Sequence, residues 1–316
     1  MYKRVVVTGS IAYDHIMSMP GKFSEHIMPD KIHMLNVSFI METFRKSFGG
    51  TGGNIAYTLG LLDIPVLLVG SVGNDFKSYS DHLKQIKKIN TSGIKIFPKE
   101  PTALGFVVTD RDDNQIWGFY QGAMKYANKI NLSNYVRSGD FLVIAPDNPT
   151  AMLQYANLAI KRKIPFMFDP AFNIPHFSIK DLANIIKHCQ VLIGNDYEIN
   201  LICKRLGIKE NKLTKKNQIL ITTLGEKGSK FYSADQVITI PPARPINTSD
   251  PTGAGDAYRA GFLGGYSKDL SLDICGRMGS ITAVYTVEKY GTQTHKFSIK
   301  QLSKRYQNNF SQKLTI

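Results

Sequence analysis

The sequence predicts an α/β fold: a doubly wound, mostly parallel sheet flanked by helices, from which a small antiparallel sheet projects. Three observations carry that expectation. Apolar, β-branched runs alternate with helical stretches along the chain, two excursions break the rhythm with strand-like alternation, and two glycine-rich turns open helices far apart in sequence.

Val5 to Val7, Val66 to Val69, Phe141 to Ile144, Pro165 to Phe168, Val191 to Ile193 and Ile219 to Thr222 read as buried strands. Helical stretches around 54–62, 75–89, 150–162, 178–188 and 196–206 separate them, which is the rhythm of βαβ units. The excursions span about 11–45 and 102–120. His33 to Ile40 alternates apolar and polar residues, as does Leu104 to Thr109, which turns at Asp110 to Asn114 and resumes at Gln115 to Phe119. We read these as strands of a lid on a single domain, 1–316.

With 316 residues, 43% hydrophobic and 20% charged, the chain can bury a sizeable core. No apolar run approaches the roughly 20 residues of a membrane span, and Met1 to Val7 runs into a strand without a leader-like apolar region. Cys189, Cys203 and Cys275 are odd in number and dispersed, so the expected compartment is a reducing cytoplasm. The seven histidines have no ligand spacing, which argues against zinc. The net charge of +14 raises a nucleic-acid reading. Its lysines are spread over many predicted helices without interleaved aromatics, so solvated helix faces account for them better, and neither nucleic acid nor membrane is an expected partner.

The most informative string is Asp250-Pro-Thr-Gly-Ala-Gly-Asp256, followed by good helix formers. Gly253 to Gly255 form a tight turn whose amides sit at a helix start, where they suit an anion. A carboxylate beside that anion would repel it unless it accepts a proton from an attacking hydroxyl. A capped helix start with an N-terminal acid is the alternative. The second turn, Gly49-Gly-Thr-Gly-Gly-Asn54, lets backbone and ligand touch, and Asn54 offers donor and acceptor to hydroxyls. No Gly-Lys-Ser/Thr follows, so it is not a Walker loop.

Together these motifs resemble the ribokinase-like, PfkB family of carbohydrate and nucleoside kinases, over nearly the whole chain. Gly9 to Asp14, Val72 to Phe76, Asn195-Asp-Tyr-Glu198 and Thr223 to Gly228 match further family motifs. Several stretches, among them Pro20 to Glu25, Phe119 to Met124 and Gly291-Thr-Gln293, are similar to bacterial adenosine kinases. The resemblance implies a ribokinase-like fold and ATP- and Mg2+-dependent phosphorylation of the adenosine 5′-hydroxyl to AMP, a purine-salvage reaction, with a monovalent cation as a further cofactor. A sugar or other nucleoside kinase is the enzyme alternative. A catalytically silent nucleotide- or RNA-binding protein is the other, against which the intact Asp256 argues.

In the roles so implied, Asp256 takes the proton and the amides of Gly253, Ala254 and Gly255 hold the developing charge. Asp14 accepts from both ribose hydroxyls, or else caps a turn. Asn54, Ser10 and Gly50 share its task, and Ser38 reaches from the lid. Phe106, Phe119 and Phe172 line the adenine slot, although lid aromatics are as often core, and Trp117 shares a strand face with Phe119. Asn195 approaches the phosphates while Glu198 orients Mg2+-bound water; a capping pair is the alternative. Thr223, Leu224, Gly225, Glu226, Lys227 and Gly228 form the ATP loop or a plain hairpin turn, with Lys227 on phosphate or in solvent. Arg259 contacts phosphate or makes a structural ion pair. The chain departs from the family pattern at Gly105, where an aromatic is expected, and at Phe172-Asn173, where glutamines are. The apolar side chains Leu35, Val37, Phe39, Val107, Trp117 and Phe119 on a thin lid imply a homodimer with interlocked lids.

Overall fold

The computed structural model describes residues 2–34, 36–112, 114–215, 217–233 and 236–315. Its strands are β1 (Arg4–Thr8), β2 (Ala12–Ser18), β3 (Thr43–Gly49), β4 (Val66–Val72), β5 (Ile89–Ile96), β6 (Ala103–Thr109), β7 (Gln115–Tyr120), β8 (Asp140–Ile144), β9 (Phe166–Phe168), β10 (Val191–Asn195), β11 (Ile219–Thr223), β12 (Ser229–Ser233) and β13 (Gln236–Ile240). The α-helices are α1 (Thr51–Leu61), α2 (Lys77–Lys84), α3 (Pro149–Arg162), α4 (Ile179–His188), α5 (Asp196–Leu206), α6 (Ala254–Tyr266), α7 (Leu272–Val287) and α8 (Ile299–Phe310).

The main sheet has the order β13-β12-β11-β10-β9-β8-β1-β4-β5, parallel from β11 to β5, with β12 and β13 adding antiparallel strands at one edge. Period-two alternation divides its side chains between two cores. Val5, Val7, Phe141 and Val143 face one layer with Ile55 of α1, Phe262 of α6, Ile281 of α7 and Leu302 of α8. Val6, Leu67, Leu142 and Ile144 face the other, with Met152 of α3, Leu182 of α4 and Ile202 of α5. The near-continuous apolar strands follow from burial on both faces. This is the ribokinase-like α/β architecture the sequence implies.

A separate four-stranded sheet, β3-β2-β6-β7, stands off the main one. Its outer pairings are antiparallel and its central β2–β6 pairing is parallel. β2 leaves directly from β1, and β6 follows β5, which runs parallel to β1, so the two excursions depart in one direction.

One expected strand does not form among the described residues. Pro29–Met34 is 3-10 helical and 36–41 is irregular, whereas the strands of the first excursion are Ala12–Ser18 and Thr43–Gly49. Alternation over 33–40 reflects a flap whose Phe39 packs edge-on against Phe23 and His26, at ring separations of 5.5 and 5.6 Å. Leu35 lies outside the described residues.

Candidate active site

In parallel sheets ligands collect beyond the carboxyl ends of the strands. Here Ser10 and Asp14 follow β1, Asp169 follows β9, Asn195 ends β10 and Thr223 ends β11. The segments that carry them are those the strand order brings side by side.

Ser10 organises the start of α1. Its hydroxyl accepts from the Thr51 amide at 3.0 Å, and its carbonyl accepts from the amides of Gly52 and Gly53 at 2.9 and 3.3 Å. The first glycine-rich turn is therefore not an open anion cradle. Its glycines admit protein: a Cβ on Gly52 would stand 2.8 Å from the Gly9 backbone, and one on Gly50, at φ 83°, would stand 2.6 Å from the Ala12 nitrogen.

The turn before α6 is different. Gly253 takes a left-handed φ of 78°, and the Ala254 amide is held by the Pro251 carbonyl at 3.2 Å. The amides of Gly253, Gly255 and Asp256 donate to no acceptor among the described residues. Those three, and less so Ala254, are available to an anion. Asp250 holds the turn, accepting from Thr252 N at 2.9 Å and Gly291 N at 3.0 Å. Asp256 lies in the first helical turn, half-buried, and its Oδ2 accepts from Asn54 Nδ2 at 2.8 Å.

Asp14 is buried on β2 and faces this carboxyl. Burial, with Asp256 and then Asp250 nearby, pushes its pKa up to about 7. Burial likewise raises Asp256 to about 6, against the opposing pull of Arg259 and the hydrogen bond from Asn54. The Asp256 carboxylate is thus one reason that Asp14 holds its proton to higher pH. The glycines around Asp14 are explained by it. A Cβ on Gly49 would fall 1.9 Å from Asp14 Oδ2, and one on Gly105 would fall 2.6 Å from Oδ1 and 3.3 Å from the Trp117 ring. The aromatic expected at Gly105 is absent because that space holds the carboxylate, with the Trp117 ring over it. Gly49→Ala is accordingly expected to leave the thermal midpoint within a few degrees while displacing Asp14. Affinity for a polar ligand held by Asp14 should fall about tenfold or more, on the scale of one hydrogen bond to a charged group. Ligand titration alongside calorimetry checks this.

Strand register sorts the aromatics. Asp14 pairs with Gly105 and Gly105 with Phe119, so Asp14, Phe119 and, two residues on, Trp117 share a face. Phe106 pairs with His15 on the opposite face and stacks on its ring at 5.0 Å, so it points away from Asp14. The placement beside the acceptor expected from sequence fails by one residue, because neighbouring strand positions face opposite ways. Phe172 is 62% exposed on the segment after β9, while Asn173 is buried and donates to the Asp147 carbonyl at 3.0 Å. Ser38 is exposed on the irregular flap.

Next to the α6 turn lies a buried cation. Arg259 Nε stands 2.5 Å from Asp169 Oδ2 in a buried ion pair of imperfect hydrogen-bond geometry. A Cβ on Gly255 would meet Arg259 Nη1 at 2.8 Å, which places the guanidinium against the open amides. Of the two readings made from sequence, the ion pair is the one observed, and it leaves the guanidinium beside the open amides. Asp169 was not singled out from sequence; the signal was there, a lone acid directly after a buried strand.

Asn195 and Glu198 form a reciprocal capping box on α5, each backbone amide donating to the other side chain at 2.8 Å. Burial and then Asp169 raise the Glu198 pKa. Thr223 pairs with Asn195 across the β10–β11 register, and Leu224 to Gly228 turn the chain into the antiparallel β12. Gly225, Glu226 and Lys227 are exposed, while Gly228, at φ 86°, has no room for a Cβ, which would fall 2.1 Å from the Ile240 carbonyl. Acids outnumber cations here: Asp169, Glu198 and Asp256 surround one arginine. That charge balance fits a divalent cation at Glu198. No three such side chains among the described residues converge on one point, so most of its ligands would be water and phosphate.

A model of the pfkB family carbohydrate kinases matches residues 3–298. The chain is 34% identical over 295 residues to a nucleoside kinase of Methanocaldococcus jannaschii, covering 93% of each chain. Its structure is similar to that of the Burkholderia thailandensis nucleoside kinase in complex with inosine, with a TM-score of 0.89 and 31% identity over 98% of this chain and 99% of that one. The same kinase in complex with ADP-inosine gives a TM-score of 0.87 and 32% identity, over 98% and 97% of the chains.

Proposed function

The chain belongs to the pfkB family of carbohydrate kinases, and on that premise we propose that it is a purine nucleoside kinase, transferring the γ-phosphoryl group of ATP to the 5′-hydroxyl of adenosine. The observation that carries this reading is Asp256 beside three open amides, facing the buried Asp14. The likeness to nucleoside kinases, one of them solved with inosine, supports a nucleoside acceptor.

In this mechanism Asp14 accepts from the ribose hydroxyls and fixes the sugar. Trp117 and Phe119, on its face, offer rings to the base, and Phe172 a third from the β9 side. Asp256 removes the 5′-hydroxyl proton as the oxygen attacks phosphorus. The amides of Gly253, Gly255 and Asp256, with Arg259 behind them, stabilise charge on the transferring group. The nucleotide lies along Asn195 and the Thr223–Gly228 turn. Mg2+, held through water by Glu198, would neutralise phosphate charge.

Turnover of adenosine, inosine, guanosine, ribose and fructose 6-phosphate, read as ADP released, tests the reading. Adenosine should be the best acceptor. A best rate on inosine would move the substrate within the purines, and a best rate on either sugar would overturn the nucleoside reading.

Assembly follows from the lid. β7 is an edge strand with every residue exposed, and Ile116, Trp117, Phe119 and Tyr120 each leave 45–47% of their surface open. A free apolar edge favours pairing with a second copy. A homodimer through the lids is therefore expected at assay concentration, and a fully active monomer in sedimentation velocity would refute it.

A further inference from the structure

Behind Asn54 lies a set of buried polar groups that the reaction as described does not use. The Asn54 amide has two ends with different neighbours. Its Nδ2 donates to Asp256, so its Oδ1 must point the other way, into the protein. There it meets Gln293 Nε2 at 2.9 Å and Thr292 Oγ1 at 2.7 Å. Gln293 also donates to the Tyr79 hydroxyl, which donates in turn to the Gly49 carbonyl at 2.7 Å. Thr292 Oγ1 stands 2.7 Å from the Phe48 carbonyl as well. Asn54, Tyr79, Thr292 and Gln293 are each 4% exposed or less.

Two features give this arrangement a direction. Gln293 Oε1 is buried with the His82 ring as its polar neighbour but without a well-formed hydrogen bond, so the sense of the amide is set chiefly by what Nε2 reaches. Thr292 has one hydroxyl proton and two carbonyl acceptors at equal distance, one on Asn54 and one at the root of β3. Without Gln293, the carbonyl of Asn54 would compete for that proton with the lid root, and the amide would lose the donor that sets which end faces Asp256.

We propose that Gln293, with Thr292, is a positioning residue that orients the Asn54 amide toward Asp256 and ties that orientation to Phe48 and Gly49 at the root of lid strand β3. This rests on the reading of Asp256 as the proton acceptor. A donor to the ionised carboxylate favours its charged form, so losing it moves the base toward higher pKa. The charged and titratable groups facing Asp256 are Arg259 on its own helix, Asp169 after β9, Asp14 on β2 and Tyr79 on α2. Both substitutions below leave all four in place.

The test is the pH dependence of turnover in wild type, Gln293→Met and Thr292→Val, with thermal midpoints measured in parallel. The acidic limb of kcat is expected to move up by about half to one pH unit in Gln293→Met, the scale of one hydrogen bond to a charged group, with the KM for ATP unchanged. Thr292→Val should shift it in the same direction by less, and supplies the result if Gln293→Met does not fold. A lowered midpoint with the limb at its wild-type position would mean these residues only hold the fold, and would overturn the proposal. If wild type turns over none of the acceptors, the functional reading fails instead. The proposal is then decided by carbon NMR titration of the Asp256 carboxyl, identified by its loss in Asp256→Asn, in wild type against Gln293→Met.

Discussion

Asp256→Asn is expected to fold and to bind nucleoside, and to lose roughly 10²-fold or more in turnover, the scale of a positioned general base. The substitution removes the proton acceptor and leaves the open amides of Gly253 and Gly255 and the Arg259 guanidinium in place, so the anion turn survives. Its amide can still meet Asn54, which limits the structural change. Because burial pushes Asp256 up to about 6, wild-type activity should fall on the acid side of that value, and that limb should vanish from the residual activity of the variant. Single-turnover rates across pH check both statements. Near wild-type turnover would remove Asp256 from the base role.

The second large effect has opposite signs for function and stability. Asp14→Asn should raise the KM for the nucleoside by about 10²-fold, since two hydroxyls lose a charged acceptor worth about 1.5–3 kcal/mol for each bond. The same change should stabilise the unliganded protein. The folded-state pKa of Asp14 is about 7, above the ordinary carboxylate value, so between those values the native state binds more protons than the unfolded chain. Stability then falls as pH rises through that window. An asparagine escapes this penalty, which is on the order of 2–4 kcal/mol at pH 8. Thermal unfolding at pH 5 and pH 8 should show the variant gaining several degrees at the higher pH and little at the lower one. A variant less stable than wild type at pH 8 would mean that Asp14 is not a strained acid held for the substrate.

Strands β1, β4, β8, β9, β10 and β11 of the main sheet were legible because each is a short apolar run buried on both faces, a local signal that tertiary packing reinforces. Strands β5, β12 and β13, at the two edges, are partly exposed and polar and were not. Helices α3, α4 and α5 fall within a few residues of the stretches expected for them, for each has a side-chain cap at its start, Asn148, Ser178 or Asn195. The 33–40 segment misled because alternation states only that two faces differ. Whether a partner strand is within reach is a matter of topology, and β2 and β3 had already taken each other.

The site divides in the same way. Asp250 to Asp256 could be read from sequence because a helix start, its glycines and its acid are contiguous, and their chemistry follows from local backbone geometry. That single string, with the strand rhythm, determined the fold class and a helix start with open amides beside an acid. Tertiary structure alone decided the rest. It pressed the backbone of Gly52 against that of Gly9, and it set Phe106 facing away from Asp14 and Trp117 over Gly105. It also brought Asp169 to Arg259 and Gln293 to Asn54, across 90 and 239 residues of chain. Contacts between residues so far apart leave no mark in local periodicity. They exist only once strand order and register have placed separate segments side by side, and burial has left each polar group to find a partner there.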